Sequence, residues 1–179
     1  MNIKNKALHP EALKIVQEWK HLGYKVYMTS GGFDPLHIGH LRCLQHTAEL
    51  AEKNNGKVVV LVNGDQFLVK KKGKPFMPIA ERLEIIASIR GVDFAAEWSD
   101  DSQTVDKAIM LLKPDFFTKG GDRNDPSSIP EWNTCQSVDC EVILGVGGEK
   151  IQSSSWLIKD STESTIKIIE TIKKEQQNE

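Results

Sequence analysis

Two histidines, His37 and His40, stand three residues apart at the start of a predicted helix and closely follow the glycine pair at 31–32. At this spacing both imidazole rings can lie in one crevice, together with the free N–H groups of the helix's first turn. Such a helix start favours anions, because its unpaired N–H groups and its dipole carry positive charge. The segment therefore predicts a phosphate-binding turn, in which Gly39 leaves room for a close approach of the ligand.

A metal site is the alternative interpretation of these histidines. No third His, Cys or carboxylate stands at a compatible local spacing, and a helix N-terminus repels a cation. We therefore favour imidazole N–H groups that donate to phosphate oxygens, over both metal ligation and a purely structural role. The rings would do so either protonated or as a fixed tautomer. For Asp34 we favour a cap that accepts backbone N–H bonds over a water-mediated magnesium contact.

A second charged cluster, the lysines at 70–72 and 74, follows the second predicted strand, and a neighbouring glycine and proline predict a loop there. Alone, such a run is typical of a solvated basic surface. Beside a phosphate turn, a flexible lysine loop would close over a polyphosphate and neutralise it. Arg82, on the next predicted helix, would add a fork of donors, or else pair at the surface with Glu81 or Glu84.

Strands and helices alternate along the chain. Strands are predicted at 24–30, 57–63, 92–97, 115–119 and 141–146, and helices at 10–21, 38–53, 78–90 and 103–112, with one or two closing helices. The segment between the last two strands reads as irregular. Strict alternation predicts an α/β fold with right-handed crossovers, a Rossmann-like doubly wound sheet of five parallel strands covered on both faces.

Polar, glycine-bearing segments follow four of these strands, at 30–40, at 63–65 with the lysines beyond, at 119–123 and at 147–155. Ligands of doubly wound sheets bind beyond the carboxyl ends of the strands, where the strand order reverses. We therefore expect the four segments to meet at one edge of the sheet. The three serines at 153–155 predict a helix N-terminus that could also receive a phosphate.

Composition narrows the classes of partner. The 179 residues carry a formal charge of −2, which argues against a nucleic-acid binder, and small anionic ligands fit better. No apolar stretch reads as a signal peptide or membrane span, so we expect a cytoplasmic protein without a membrane partner. The cysteines form no Cys-x-x-Cys pair and are predicted to be small buried residues: Cys43, Cys135 and Cys140.

The length of the chain predicts one domain with additions at its ends. We expect a helical extension at 1–22, the α/β domain at 23–160, and a C-terminal helix with a charged tail at 161–179. Isoleucines at 166, 169 and 172 form an apolar stripe on the last helix. Such a stripe packs onto its own domain more often than it forms a dimer seam, and we expect the first.

The residue types also limit the reaction. No Ser-His-Asp or Cys-His constellation is visible, so no covalent nucleophile is expected. A phosphate monoester is already an ionised nucleophile at neutral pH. If it attacks the α-phosphorus of a nucleoside triphosphate in line, the protein need only align two anions and stabilise charge on the departing pyrophosphate. Glycines, histidines, lysines and helix termini supply that set.

The phosphate turn resembles the signature of the cytidylyltransferase-like nucleotidyltransferases. Residues 31–34 read Gly-Gly-Phe-Asp and residues 37–40 read His-Ile-Gly-His, which match the family's Gly-x-Phe-Asp and His-x-Gly-His motifs without a gap. The resemblance extends over about 24–160 and is strongest to members that act on heptose phosphate and on glycerol phosphate. The family's final turn usually reads Ser-Thr-Thr, whereas this chain has three serines followed by Trp156.

The resemblance implies transfer of AMP or CMP from ATP or CTP to a sugar phosphate such as heptose 1-phosphate, with Mg²⁺ and release of pyrophosphate. A cytidylyltransferase for glycerol phosphate or another small alcohol phosphate is the alternative within the family. A catalytically weak nucleotide-binding module is the alternative of a different class, and the intact histidines and lysines argue against it. A homodimer is expected, because family members commonly form one.

The residue types and the resemblance together predict roles for individual residues. Those expected to hold or border the nucleotide are Ser30, Gly31, Gly32, Phe33, Asp34, Gly39, Lys70, Lys71, Lys119, Gly120, Gly121, Ser153, Ser154 and Ser155. Those expected to act in catalysis are His37, His40 and Lys72. One lysine of the run 70–72 would close on the triphosphate, and the sequence leaves open which one. Those expected to bind the acceptor are Asn63, Asp65, Arg82, Asp122 and Arg123.

Overall fold

Strands and helices alternate in the computed structural model, which describes residues 8–121 and 125–177. The strands are β1 (Lys25–Gly31), β2 (Gly56–Asn63), β3 (Phe94–Trp98), β4 (Phe116–Gly120) and β5 (Glu141–Val146). The helices are α1 (Pro10–His21), α2 (Ile38–Lys53), α3 (Asp65–Lys72), α4 (Ile79–Ala87), α5 (Asp106–Leu112), α6 (Trp132–Ser137) and α7 (Ser154–Gln177), with a 3-10 turn at Pro126–Ser128.

The strands form one parallel sheet in the order β3-β2-β1-β4-β5. The predicted five-stranded, Rossmann-like fold is therefore confirmed. From β1, the strands β2 and β3 are added on one side of the sheet, and β4 and β5 are then added on the other side. The strand order therefore reverses between β1 and β4. Helices that cover neighbouring strands diverge at such a reversal, and a crevice opens above the carboxyl ends of the strands.

Alternate residues of the central strand β2 enter two separate cores. Val59 and Leu61 pack with residues of α1, α5 and α6 on one face, whereas Val58, Val60 and Val62 pack with α2 and α4 on the other. All five are at most 1% exposed, which explains why the strand is continuously apolar. The sheet is thus fixed from both sides, and its carboxyl edge is a rigid base for the segments above it.

The cysteines occupy interior positions, as predicted. Cys135 and Cys140 are buried in the core that α1, α5 and α6 cover, and Cys43 is partly buried on α2. Burial raises the pKa of the Cys43 thiol to about 11, so this thiol stays protonated at neutral pH.

Two helices lie where loop was expected. The lysine run forms the last turn of α3, because Leu68 is buried against the body of the protein and Gly73, at φ +87°, ends the helix only after Lys72. The six-residue helix α6 falls in the segment predicted to be irregular. Both helices are too short for a clear 3.6-residue pattern, and tertiary burial stabilises them.

The last helix, α7, leaves the body of the protein. It begins at Ser154, so the predicted division at residues 160 and 161 lies within it, and every residue from 159 to 176 is exposed. Ile166, Ile169 and Ile172 are 46–49% exposed, and the expectation that they pack onto their own domain is wrong. Among the described helices, none has the length and apolar character needed to cross a membrane.

Candidate active site

A cleft of about 660 Å³ lies above the carboxyl edge of the sheet, at the reversal of strand order. Each of the four predicted segments contributes to its wall. The predicted site residues that line it are Ser30, Gly31, Gly32, Phe33, Asp34, His37, Gly39, His40, Asn63, Lys71, Lys72, Lys119, Gly120, Gly121, Ser153, Ser154 and Ser155. Lys70, Asp65 and Arg82 are not among its lining residues, and Asp122 and Arg123 lie outside the described residues.

The two histidines cap helix α2 together. His37 is the N-cap residue, and its Nδ1 accepts hydrogen bonds from the backbone N–H groups of Gly39 (3.1 Å) and His40 (3.3 Å). The Nδ1 of His40 in turn accepts from the His37 N–H at 3.4 Å. The rings stack with centroids 3.7 Å apart. A Cβ on Gly39 would lie 3.0 Å from His37 Cε1, so glycine at 39 lets the ring fold back over the helix start.

The sequence left open whether the histidine rings are protonated or are neutral with a fixed tautomer, and their surroundings favour the neutral rings. Burial, followed by the charges of Lys150 and Lys72, lowers the pKa of His37. Burial, followed by His37 and Lys72, lowers the pKa of His40 to about 3. Both rings are therefore neutral at pH 7. Because each Nδ1 accepts a hydrogen bond, each proton is on Nε2, and each ring has an Nε2–H donor in a cleft-lining residue.

Asp34 is fully enclosed beneath the turn. It is 1% exposed, and its carboxylate accepts hydrogen bonds from the backbone N–H groups of Phe76 (2.8 Å) and Met77 (2.7 Å). As predicted, Asp34 accepts hydrogen bonds from backbone N–H groups. These groups belong to the segment after α3, however, and not to the turn that Asp34 was expected to cap. The Asp34 side chain is 0% exposed and is held by backbone donors, which favours the cap over the water-mediated magnesium contact. The described residues contain no cluster of three or more metal-ligating side chains.

The three neighbouring lysines have different surroundings. The Lys72 ammonium donates to the Asp34 carbonyl oxygen at 2.5 Å and lies 4.0 Å from its carboxylate. Burial lowers the pKa of Lys72, and the charge of Lys72 reaches both histidines. Lys71 lies 5.8 Å above the Phe67 ring, and Lys70 pairs with Asp101 at 3.6 Å. Lys72 is therefore the lysine of this run most closely joined to the turn.

Arg82 is a buried junction beneath the cleft. Its guanidinium donates to the carbonyl oxygens of Gly32 (2.8 Å) and Asn63 (2.6 Å), at the ends of β1 and β2. It also donates to the Met77 carbonyl at 3.0 Å and pairs with the Asp65 carboxylate at 2.6 Å. Every one of its nitrogens is thus bound within the protein, and one side chain joins four segments around the phosphate turn.

These contacts correct the sequence-based interpretation of Arg82. The side chain is 0% exposed, so the alternative of a surface pair with Glu81 or Glu84 is wrong. The fork of donors exists, but it binds groups of the protein itself. The structure does not bring Arg82 or its partner Asp65 to the cleft wall, where the acceptor contacts were expected. Their place in the fold instead makes them positioning residues for the ends of β1 and β2.

A carboxylate that the sequence analysis missed, Glu131, lies at the far side of the cleft. It precedes α6, is 5% exposed, and its Oε2 lies 3.6 Å from the Lys119 ammonium at the end of β4. Lys119 also donates to the Ser30 hydroxyl at 3.5 Å, so the ends of β1 and β4 meet at this lysine. A lone Glu next to a short helix gives no local signal of burial, which arises only from the tertiary fold.

The serine segment does start a helix, as predicted. The Ser153 hydroxyl accepts from the Trp156 N–H at 3.2 Å and caps α7, while Ser154 donates to the Pro35 carbonyl at 2.9 Å. Ser155 lies 3.0 Å from the Ser153 hydroxyl. The segment is thereby fastened to the phosphate turn, and two helix N-termini, those of α2 and α7, border the same cleft.

Comparisons with known proteins agree with this architecture. A family model described as cytidylyltransferase-like matches residues 28–173. A crystal structure of the lipopolysaccharide core biosynthesis protein from Thermoplasma volcanium is similar in fold, with a TM-score of 0.55 and 24% identity, and covers 70% of this chain and 98% of that chain.

Two curated relatives carry the name bifunctional protein HldE. The protein from Hahella chejuensis is 31% identical over 173 residues, which are 95% of this chain and 32% of the relative. The protein from Haemophilus ducreyi is 32% identical over 166 residues, 91% of this chain and 32% of the relative. The chain thus spans about a third of the length of these relatives.

Proposed function

Because the chain belongs to the cytidylyltransferase-like family, we propose that it is a nucleotidyltransferase that transfers a nucleotidyl group from ATP or CTP to a sugar phosphate, with release of pyrophosphate. The observation that carries this proposal is the neutral histidine pair, whose two Nε2–H donors belong to cleft-lining residues at the start of α2. A neutral imidazole with its proton on Nε2 donates to a triphosphate oxygen without first gaining a proton.

The reaction needs few steps from the protein. A phosphate oxygen of the acceptor attacks the α-phosphorus, the bond from that phosphorus to the bridging oxygen breaks, and pyrophosphate leaves with the electron pair. His37 and His40 would donate to the triphosphate oxygens as charge moves onto them, and Lys72 would neutralise the departing group. Mg²⁺, when bound, would be held chiefly by the triphosphate oxygens, because the described residues offer no ligand set of their own.

For the substrates we favour ATP and heptose 1-phosphate. Support comes from the relatives named HldE and from the likeness of the chain to heptose-phosphate members of the family. Glycerol phosphate with CTP stays the second candidate. The glycine-rich ends of β4 and β5 would recognise the base through backbone groups, so the side chains there do not distinguish ATP from CTP.

A screen of pyrophosphate release tests this proposal. The four ribonucleoside triphosphates are crossed with heptose 1-phosphate, hexose 1-phosphates, glycerol 3-phosphate and phosphoethanolamine, each with Mg²⁺. We expect the highest kcat/KM for ATP with heptose 1-phosphate. Turnover with glycerol 3-phosphate and CTP alone would favour the second candidate, and absence of turnover with every pair would contradict the enzymatic function.

Lys72→Ala is expected to lower kcat/KM about tenfold to a hundredfold, because it removes a fixed positive charge beside the histidines. Lys70→Ala is the matched control from the same helix, since Lys70 pairs with Asp101 and does not line the cleft. We expect Lys70→Ala to change kcat/KM less than twofold. Steady-state kinetics of both variants checks this prediction, and equal losses would show that only the overall charge of the run matters.

We further propose that two copies of the chain pair through α7. The stripe of Ile166, Ile169 and Ile172 recurs at three-residue spacing, is nearly half exposed, and is not covered by the described part of the chain. Burial of such a stripe against a second copy would remove apolar surface from water.

Ile169→Glu is expected to convert the dimer into a monomer, which light scattering during gel filtration would measure. Thr171→Glu introduces the same charge on another side of the helix and should leave the mass unchanged. A wild-type chain that elutes as a monomer at tens of micromolar would contradict the pairing.

A further inference from the structure

Two buried oxygen atoms in cleft-lining residues have no hydrogen-bond partner among the described residues: Oε2 of Glu131 and Oδ1 of Asn63. Their residues are 5% and 7% exposed. A buried acceptor without a donor costs free energy, and native proteins rarely keep one unless a ligand or water supplies the donor. Both oxygens are acceptors, so the group that satisfies them must carry O–H or N–H bonds.

The position of Glu131 separates it from the phosphate turn. Its neighbours along the cleft wall are Val105, Ile129 and Pro130, from the α5 and α6 side of the sheet, whereas the histidines lie on the α2 side. The Val105 N–H donates to its Oε1 at 3.4 Å, and the Lys119 ammonium lies 3.6 Å from its Oε2. This half of the cleft therefore offers a carboxylate, where the other half offers N–H donors.

The charge of this pair limits what can bind. A carboxylate would repel a phosphate, so the phosphates of both substrates belong nearer the histidines and Lys72. The Lys119 ammonium balances the charge of Glu131, so the site does not require a cationic ligand such as an amino alcohol. A neutral hydroxyl fits best, because it can donate to Oε2 without adding charge.

We propose that Glu131 is a specificity-determining residue that accepts a hydrogen bond from a hydroxyl of the acceptor sugar, with Asn63 as a second acceptor. This inference rests on the proposed nucleotidyl transfer to a sugar phosphate. It makes the half of the cleft opposite the histidines a binding site for a polyhydroxylated group, and it assigns Glu131 to discrimination between acceptors and not to the chemical step.

Glu131→Ala tests this assignment. We expect KM for heptose 1-phosphate to rise about tenfold to a hundredfold, KM for ATP to change less than twofold, and kcat to change little. Glu131→Gln keeps the size of the side chain and should have a smaller effect in the same direction. Glu149→Ala, which removes the same charge from an exposed part of the cleft, controls for general electrostatics.

Analogues of heptose 1-phosphate that lack one hydroxyl give a second readout. The analogue that lacks the bound hydroxyl should bind the wild type more weakly than heptose 1-phosphate does. Glu131→Ala should bind the analogue and heptose 1-phosphate with equal affinity, and calorimetry with the full chain measures both. An acceptor KM of Glu131→Ala within twofold of the wild-type value would overturn the inference. Equal increases in the KM values for ATP and heptose 1-phosphate would overturn it too, as would a lowered melting temperature of the variant together with a changed affinity for ATP.

Failure of the proposed function has a different signature. In that case the wild type releases no pyrophosphate with any acceptor, and the calorimeter records no binding of heptose 1-phosphate. If the wild type turns over glycerol 3-phosphate but not heptose 1-phosphate, the glycerol hydroxyls replace the sugar in the same comparison. An effect of Glu131→Ala on that KM would then support the carboxylate as a hydroxyl acceptor, and no effect would overturn it.

Discussion

Replacing His40 with alanine is expected to lower kcat about a hundredfold or more, because the variant loses an Nε2–H donor to the charge that develops on the triphosphate. The effect on KM for the nucleotide should be smaller, since the Nε2–H donor of His37 remains. The loss of the His40 Nδ1 acceptor also removes half of the reciprocal cap, at a cost of about 1 kcal/mol in stability. Single-turnover measurements of pyrophosphate formation separate the chemical step from product release.

His21→Ala is the matched control for His40→Ala, because His21 is an exposed histidine at the end of α1. Its kcat should equal that of the wild type. Turnover of His40→Ala within threefold of the wild type would contradict the role given to the ring. Burial lowers the pKa of His40 to about 3, so the ring is neutral in the free protein, and we expect kcat/KM to show no ionisation of this ring between pH 6 and 8.

Arg82→Met is expected to destabilise the fold by about 3–5 kcal/mol. The substitution keeps an unbranched, apolar side chain but leaves the carbonyl oxygens of Gly32, Asn63 and Met77 without their donor in a buried place. Activity at low temperature should fall as well, because the ends of β1 and β2 lose their common anchor. Urea denaturation followed by circular dichroism gives the free energy of unfolding.

Arg90→Met offers the control for that loss, since Arg90 is an exposed arginine just beyond α4. We expect its stability to lie within about 0.5 kcal/mol of the wild type. If the free energy of unfolding of Arg82→Met fell by less than about 1 kcal/mol, the contacts of the guanidinium would be replaceable. The segments that Arg82 joins would then be held by the remaining packing.

The first and last residues of elements with a strongly periodic hydrophobic pattern could be predicted from the sequence. Helix α2 was expected at 38–53 and strand β5 at 141–146, and both have these bounds in the structure. Strand β1 is shifted by one residue from the expected 24–30. The convergence of four polar segments on one edge also followed from the order of elements, because the carboxyl ends of parallel strands meet there.

Features that depend on tertiary contacts escaped prediction. The lysine helix α3 has a single buried apolar residue, Leu68, which is too weak a pattern to separate a helix from a loop. Arg82 reads as a surface residue among acidic neighbours, and its burial depends on the carbonyl oxygens of Gly32 and Asn63, which are distant in the chain. Glu131 is likewise buried only because its segment folds over the end of β4.

The bond between the Lys72 ammonium and the Asp34 carbonyl has a kinetic consequence. A flexible loop would have to lose conformational entropy each time it closed over a substrate, and its opening would then limit how fast product leaves. Here the ammonium is ordered before any ligand arrives, by a helix on one side and an enclosed aspartate on the other. At this wall of the cleft the positive charge is in place before the ligand binds, and the entropy of ordering this side chain is lost once, when the chain folds.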